Sequence, residues 1–330
     1  MGQDWNDLTH FYWGRKPIAG IKTYIEEHTK EGDVIFDPFC GAGTVVIEAL
    51  KRNRRIVALD INPMATFLTK ITAKPISLYL LRNEFEKIEN DISRKILKMY
   101  NIKCPECNKE AVIHSTIWTT VDGQSIPSKI RIRCRFCSSD KVYEVSNSEK
   151  ERQLSKQDIE IPYWYPKSEI KTKLRKPPAR HFYELFTKRN LFCLSLLFDR
   201  INKIPERDVK EAFFCIFTDM LYACSRMQMY SPTNPKRLRG WAAPRLYIPN
   251  RYNQERNVWN VFKSRYIRFC KAKEILNSAI YKADFAVSIE DFVVNRKDAL
   301  ILTCNSTNFK VPDKLKFNYV YIDPPFREDI

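Results

Sequence analysis

The hydrophobic pattern of this 330-residue chain contains short apolar runs of strand length. They lie at residues 34–36, 55–59, 298–303 and 317–322. The first run leads into a glycine turn and then into a stretch with helical spacing, as a strand followed by a helix does. The last run is apolar on both faces, so it needs neighbouring structure on both. The pattern predicts an α/β fold built on an open parallel sheet.

Between the second and third of these strands lies a long insertion, from about residue 72 to residue 297. It opens with a charged helical stretch at 81–99. Alternating residues at 111–117 and 130–134 then predict two strands of a ribbon. Three further stretches space Leu, Phe, Ile and Tyr as amphipathic helices do: residues 189–204, 209–229 and 257–279. The insertion is therefore predicted to hold a helix, a ribbon and a small helical domain.

A charged segment without apolar periodicity, residues 146–176, is predicted to be a surface linker. Residues 161–166 within it set three aromatic side chains between prolines. Packing on a neighbouring domain is favoured for them over base stacking. The predicted boundaries place the first part of the sheet domain at 1–72 and the helix with the ribbon at 73–147. The basic linker follows at 148–184, the helical insertion at 185–297 and the return to the sheet at 298–330.

The turn after the first strand has the chemistry of a nucleotide-like cofactor site. Residues 37–44 read Asp-Pro-Phe-Cys-Gly-Ala-Gly-Thr. Gly41 and Gly43 let the backbone approach a ligand, and the following helix offers unpaired N–H groups. The second strand ends at Asp60, a position suited to hydrogen bonding with ribose hydroxyls. A plain tight turn is the alternative for the glycine string taken alone.

Asp323, Pro324, Pro325 and Phe326 follow the last apolar run. Ligands of open parallel sheets bind at the carboxyl ends of the strands. The carboxylate of Asp323 and the carbonyl of Pro324 can each accept a hydrogen bond from an exocyclic amino group, which leaves its nitrogen better able to attack an electrophilic methyl group. The prolines fix the backbone, and Phe326 can stack on a base swung out of its helix. A turn after an edge strand is the alternative.

These two strings resemble those of the N6-adenine and N4-cytosine DNA methyltransferases, and the chain is similar to adenine-specific DNA methylases with a zinc-ribbon insertion. The resemblance implies a Rossmann-like sheet, S-adenosylmethionine (SAM) as cofactor, and DNA as substrate, with N6 of adenine favoured as the methylated atom. Residues 10–17 resemble the motif that packs on the methionine end of SAM, although an aromatic-rich amphipathic segment is the alternative. The implied catalytic residues are Asp323, Pro324, Pro325 and Phe326. The implied cofactor-binding residues are Tyr12, Lys16, Asp37, Pro38, Phe39, Gly41, Gly43, Thr44, Asp60 and Asn62.

The chain departs from this family pattern in two places. Family members continue well past the catalytic tetrapeptide, so we expect a sheet that is incomplete at the C-terminus: a fragment, a truncated chain, or one subunit of a split enzyme with a second chain supplying the rest. The strand before the catalytic one is followed by Cys304 and Asn305, where an acidic residue is expected to contact the cofactor's adenine.

Four cysteines form two Cys-x-x-Cys pairs separated by 26 residues: Cys104, Cys107, Cys134 and Cys137. This spacing predicts a closed, structural tetrahedral zinc site. The basic residues around it either contact phosphates or form a solvated face, and the sequence leaves both open: Lys103, Lys109, Lys129, Arg131, Arg133 and Arg135. The other six cysteines lie in apolar contexts and are predicted to be core residues.

Fifty-six Lys and Arg against 39 Asp and Glu give a net charge of +17, which favours a polyanionic partner. A long loop interleaves cations, aromatics and prolines, and its candidates for nucleic-acid contact are Lys236, Arg237, Arg239, Trp241 and Arg245. A mobile structural loop is the alternative. No apolar run has the length of a membrane span, and a cytoplasmic location is expected. DNA methylation is the leading hypothesis. The two alternatives are an RNA methyltransferase of the tRNA guanine-N2 type and an inactive nucleic-acid-binding fragment.

Overall fold

The computed structural model describes residues 5–12, 15–121, 124–145, 159–171, 179–231, 248 and 252–324. The described helices in chain order are α1 (Trp5–Leu8), α2 (Ile18–His28), α3 (Thr44–Leu50), α4 (Pro63–Ala73), α5 (Leu78–Lys98), α6 (Lys188–Asn202), α7 (Arg207–Cys224), α8 (Val258–Ile280) and α9 (Ile289–Val294). The described strands are β1 (Val34–Asp37), β2 (Arg55–Asp60), β3 (Asn101–Lys103), β4 (Glu110–Val121), β5 (Gln124–Arg133), β6 (Asp140–Glu144), β7 (Asn253–Arg256), β8 (Ala299–Thr303) and β9 (Tyr319–Val320).

The chain divides into two compact units. Unit 1 comprises Met1–Leu81 and Ile267–Ile330, and unit 2 comprises Arg82–Tyr266. The N-terminal and C-terminal parts of the sequence therefore share one unit, while most of the predicted insertion forms the other. Within the described residues, no helix is both long enough and apolar enough to cross a lipid bilayer.

Unit 1 is built on a parallel sheet with the strand order β8-β2-β1-β9. Successive residues of the strands alternate between two hydrophobic clusters, as the pleat of a strand requires. Ile35, Ile56 and Ala58 join one cluster with α2, α3 and α8 residues. Val57 and Leu300 join the other, which also contains Phe292 of α9 and Leu315. Burial on both faces explains why the strands read as continuous apolar runs.

The last strand is shorter and more exposed than the sequence predicts. Only Tyr319 and Val320 form regular strand structure, although Tyr321 N–H still donates to Phe36 O at 2.9 Å. Val320 is 45% exposed and Ile322 is 65% exposed. The last apolar run therefore forms an exposed strand end at these positions, although its two apolar faces predict burial. The reason is topological, because β9 pairs only with β1 and forms an edge of the described sheet.

Unit 2 contains an antiparallel sheet in which β3, β4, β5 and β6 follow one another and β7 pairs with β4. The hairpin of β4 and β5 is the predicted ribbon, but both strands are longer than the alternating segments that predicted it. β7 has the sequence Asn-Gln-Glu-Arg and was not predicted as a strand. All four of its residues are buried, and the carboxylate of Glu255 forms an ion pair with the guanidinium of buried Arg189.

The helices of unit 2 confirm the predicted amphipathic stretches with shifted ends. α7 ends at Cys224, five residues before the predicted end, and Ser225 N–H donates to Tyr222 O at its carboxyl end. An aromatic core joins the helices, with the rings of Phe85 and Tyr266 stacked at 4.0 Å. The three linker aromatics also pack on protein side chains. Tyr163 contacts Phe192, Trp164 contacts Phe198 and Tyr165 contacts Tyr183, as the packing interpretation predicts.

Candidate functional site

Three carboxylates lie at the carboxyl edge of the parallel sheet in unit 1. Asp37 is the last residue of β1, Asp60 is the last residue of β2, and Asp323 follows β9 by three residues. β1 pairs in parallel with both other strands. Neighbouring parallel strands end at the same edge, which is where ligands of open α/β sheets bind. The fold thus brings together the two motifs that stand at opposite ends of the sequence.

The glycine turn between β1 and α3 is held against β2. Cys40 N–H donates to Leu59 O at 2.8 Å, and Thr69 Oγ1 donates to Gly41 O at 2.9 Å. Gly43 has φ +80°, and a Cβ added to it would lie 2.6 Å from Thr69 Cγ2. Only glycine fits this position, on conformational and on steric grounds. Thr69 is a site residue that the sequence analysis missed, because nothing in its local sequence links it to a turn 28 residues earlier.

Asp60 fixes both the turn and the start of α4. One carboxylate oxygen accepts Gly41 N–H at 2.9 Å, and the other accepts Asn62 N–H at 2.8 Å. Asn62 in turn caps α4 by accepting Met64 N–H, and its side-chain amide lies 3.5 Å from the hydroxyl of Tyr12. Burial, followed by the charge of Asp60, raises the pKa of Tyr12. Four predicted cofactor-binding residues therefore form one contiguous group: Tyr12, Gly41, Asp60 and Asn62.

Asp37 is almost completely buried, with 2% of its surface exposed. Burial raises the pKa of its carboxyl from the ordinary value of 3.8 to about 7. The hydrogen bond from Phe39 N–H, at 3.1 Å, lowers this pKa. The negative charge of Asp60 raises it further, and the positive charge of Lys16 lowers it. A carboxyl with this pKa changes its ionisation near neutral pH. A cation in the site stabilises its charged form.

Lys16, predicted to bind cofactor, forms an ion pair with Asp323, the carboxylate predicted to be catalytic. Both side chains are partly exposed, so solvent and ligands can reach the pair. The preceding residue anchors this segment, because the guanidinium of Arg15 donates to Asn6 O and to His10 O. Arg15 was not predicted as a site residue.

The remaining predicted residues have different placements. Pro38 and Thr44 are buried and Phe39 is half-buried, all within the turn and the first residue of α3. Pro324 is exposed. Pro325 and Phe326 lie outside the described residues. The predicted nucleic-acid contacts of the long loop also lie outside them: Lys236, Arg237, Arg239, Trp241 and Arg245.

The four predicted zinc ligands of unit 2 converge, and their sulfur atoms all lie within 4.8 Å of one another. Cys104 Sγ is 3.7 Å from Cys137 Sγ, and Cys107 Sγ is 3.6 Å from Cys134 Sγ. These distances are far too long for disulfide bonds. They match the edge of about 3.8 Å expected for a tetrahedron with metal–sulfur bonds of about 2.3 Å. The four thiols therefore fit a zinc ion.

The two cysteine turns have the same backbone design. Cys104 N–H donates to Lys109 O at 2.8 Å, and Cys134 N–H donates to Ser139 O at 2.9 Å. The residue after the second cysteine of each turn has a positive φ, 55° at Asn108 and 57° at Ser138. Paired turns of this kind present thiolates to one metal ion from two sides.

Comparison with known proteins gives one family match. A family model of N6/N4 methyltransferases, described as "DNA methylase", matches residues 3–70, about a fifth of the chain. The matched part contains every residue that the sequence analysis assigned to the cofactor. A search of curated proteins finds no match. The match supports a relationship to the N6-adenine and N4-cytosine DNA methylases, and with it methyl transfer to DNA as the class of activity.

Proposed function

We propose that this protein transfers a methyl group from SAM to an exocyclic amino group of a flipped DNA base, with N6 of adenine favoured. The observation that carries the proposal is the convergence of Asp37, Asp60 and Asp323 at one edge of a parallel sheet, beside a glycine turn. The order of the motifs and the match of residues 3–70 support the same reading. The proposed fold is a Rossmann-like methyltransferase sheet, and the proposed location is the cytoplasm.

The residues of the turn suit a nucleoside with a cationic tail. The carboxylate of Asp60 keeps lone pairs for ribose hydroxyls beyond those used by Gly41 and Asn62. Gly41 and Gly43 let the ligand approach the backbone. Asp37 offers a buried carboxylate to the positive charges of SAM. Those charges favour the deprotonated form of the Asp37 carboxyl. SAM itself supplies an already activated methyl group, so positioning accounts for much of the rate gain.

Asp323 and Pro324 act on the acceptor. The Asp323 carboxylate and the Pro324 carbonyl accept the two N–H groups of the amine, and the nitrogen lone pair is directed at the methyl carbon. With SAM bound, its activated methyl group would accept that lone pair, and Asp323 would take the departing amine proton and pass it to solvent. Lys16 pairs with Asp323 and so holds its carboxylate in place before the amine arrives.

We further propose that one zinc ion is held by Cys104, Cys107, Cys134 and Cys137. The four thiolates fill its tetrahedral coordination, so the ion is structural. The sulfur distances and the matched turns support this assignment.

The exposed flank of β9 supports a second proposal about partners. Val320 and Ile322 leave apolar surface at the sheet edge, and unpaired strand edges are apt to take another strand. We propose that a further strand, supplied by a partner chain, pairs there and completes the pocket for the target base.

The function is tested by incubating the purified chain with methyl-labelled SAM and unmethylated DNA, with tRNA as the competing substrate. We expect label in DNA, and its loss in Asp323→Ala. Asp313→Ala, which removes an exposed loop carboxylate of the same unit, serves as the matched control and should retain activity. Label in tRNA alone would replace DNA with RNA as the substrate. Equal labelling of DNA by Asp323→Ala and the control would remove Asp323 from the reaction.

A further inference from the structure

The two cysteine turns carry an exposed aromatic side chain flanked by two cations. Phe136 lies between Cys134 and Cys137 and is 49% exposed. The guanidinium of Arg135 lies over its ring, 5.0 Å from the centre, and the ammonium of Lys109, from the other cysteine turn, lies over it at 5.1 Å, so both make cation–π contacts with it. We call Lys109, Arg135 and Phe136 the knuckle platform.

The charges of the knuckle platform differ from those of the neighbouring strands. On β5 the cations have acidic partners: Lys129 pairs with Glu144, and Arg131 and Arg133 share the carboxylate of Asp140. Lys141 pairs with Glu106, the acidic residue of the first cysteine turn. Lys109 and Arg135 form no ion pair within the part of the chain that the structure describes. The sequence left open whether the ribbon's cations contact phosphates, and ion pairing now distinguishes Lys109 and Arg135 from the paired cations of β5 and β6.

About half of the Phe136 surface is exposed to solvent, so a ligand that covers the ring gains apolar burial. The four cysteines bring the two turns together, so Lys109 and Arg135 lie beside the same ring. Unpaired cations beside an aromatic ring match a nucleic-acid strand, whose phosphates need positive charge and whose bases present faces for stacking.

We propose that the knuckle platform contacts the DNA strand, with Lys109 and Arg135 on phosphates and Phe136 stacked on an unpaired or unstacked base. This inference rests on the proposed function, because that function supplies DNA as the partner. The complementary charge of the chain, +17 overall, supports a polyanion as the occupant.

The test measures binding of fluorescein-labelled single-stranded and duplex DNA to the zinc-loaded full chain by anisotropy over a range of salt concentrations. Lys109→Ala/Arg135→Ala should reduce the salt slope of duplex binding by about two, since each phosphate contact contributes about 0.9. Phe136→Ala should weaken single-strand binding by roughly fivefold or more, and Phe136→Tyr should restore it. Zinc content measured on each variant confirms that the ribbon is intact.

Lys141→Ala is the matched charge control, because Lys141 is an exposed ribbon cation that is already paired. Phe182→Ala is the matched aromatic control, because Phe182 is 40% exposed elsewhere in unit 2. If the platform variants bind as the controls do, the inference is wrong. Methyl transfer by the wild type, measured in parallel, separates the outcomes: transfer with no platform effect overturns this inference alone, and a platform effect without transfer overturns the proposed function alone.

Discussion

At the scale of single residues, the candidate site combines side chains that local strings predict with contacts that they do not. The glycine turn, Asp37 and Asp60 were predictable because each belongs to a short local string that follows a strand. The Lys16–Asp323 pair was not, because 307 positions separate its members and ion pairing across such a distance leaves no local pattern. Thr69 was missed for the same reason.

Gly43 offers the sharpest steric prediction. Gly43→Ala places a Cβ against Thr69 and forces a side chain into a left-handed conformation, so it should lower the free energy of unfolding of unit 1 by about 2–4 kcal/mol. Gly20→Ala is the control: Gly20 lies in α2 with open space around it, and alanine there should raise stability by about 0.5–1 kcal/mol. The stability of both variants is measured by urea unfolding, monitored through hydrogen exchange of the β1 and β2 peptides. Equal effects of the two substitutions would contradict this account of the turn.

Asp37 makes a prediction about pH. The unfolded carboxyl titrates near 3.8 and the folded one near 7, so the folded state binds more protons between these values. Stability of unit 1 should therefore fall as pH rises from about 4 to 7, and the loss should be fully present above pH 7. Asp37→Asn keeps an acceptor for Phe39 N–H and removes the titration.

The same urea experiment, repeated at pH 5 and pH 8, checks this prediction. The wild type should lose more stability than Asp37→Asn between the two pH values. SAM should bind the wild type more tightly than it binds Asp37→Asn at pH 8, but not at pH 5. Asp313→Asn, an exposed carboxylate, should behave as the wild type does. A pH dependence that Asp37→Asn leaves unchanged would assign the titration to another group.

At the level of elements, the hydrophobic pattern predicted the buried strands made of apolar residues and missed the buried strand made of polar residues. β1, β2 and β8 followed from apolar runs. β7 did not, because its four residues are polar and its burial depends on distant partners. Glu255 accepts hydrogen bonds from Thr187 and Arg189, and Asn190 donates to Arg256 O at 2.9 Å. A buried polar strand is stable only when such partners are supplied, and the local sequence does not record them.

Metal removal tests the ribbon as an element. With zinc bound, the strands β3 to β6 should show protected amides, and a chelator should abolish that protection, because a small ribbon depends on its metal for stability. Cys104→Ser should reproduce the effect, whereas Cys215→Ser, which alters a buried cysteine of α7, should retain zinc. The unit 1 sheet forms a separate compact unit and should keep its protection in the chelated protein. Ribbon protection that survives complete metal removal would contradict a structural zinc site.

In the whole molecule, the two units have different proposed tasks. Unit 1 carries the proposed cofactor and acceptor residues, and unit 2 carries the proposed zinc ion and the knuckle platform. The net charge of +17 favours association with DNA at long range, while specific contacts depend on cations that are not already paired. The overall charge and the order of motifs were evident from the sequence, whereas the choice between paired and unpaired cations required the structure.

The most direct test of the central claim is SAM binding by isothermal titration calorimetry to the full chain and two variants. We expect the wild type to bind SAM, Asp60→Ala to lose most of that affinity because it removes the ribose acceptor and frees the glycine turn, and Asp323→Ala to keep it because Asp323 acts on the amine. Absence of SAM binding by the wild type, or equal affinity in Asp60→Ala, would contradict the assignment of this sheet edge as the cofactor site.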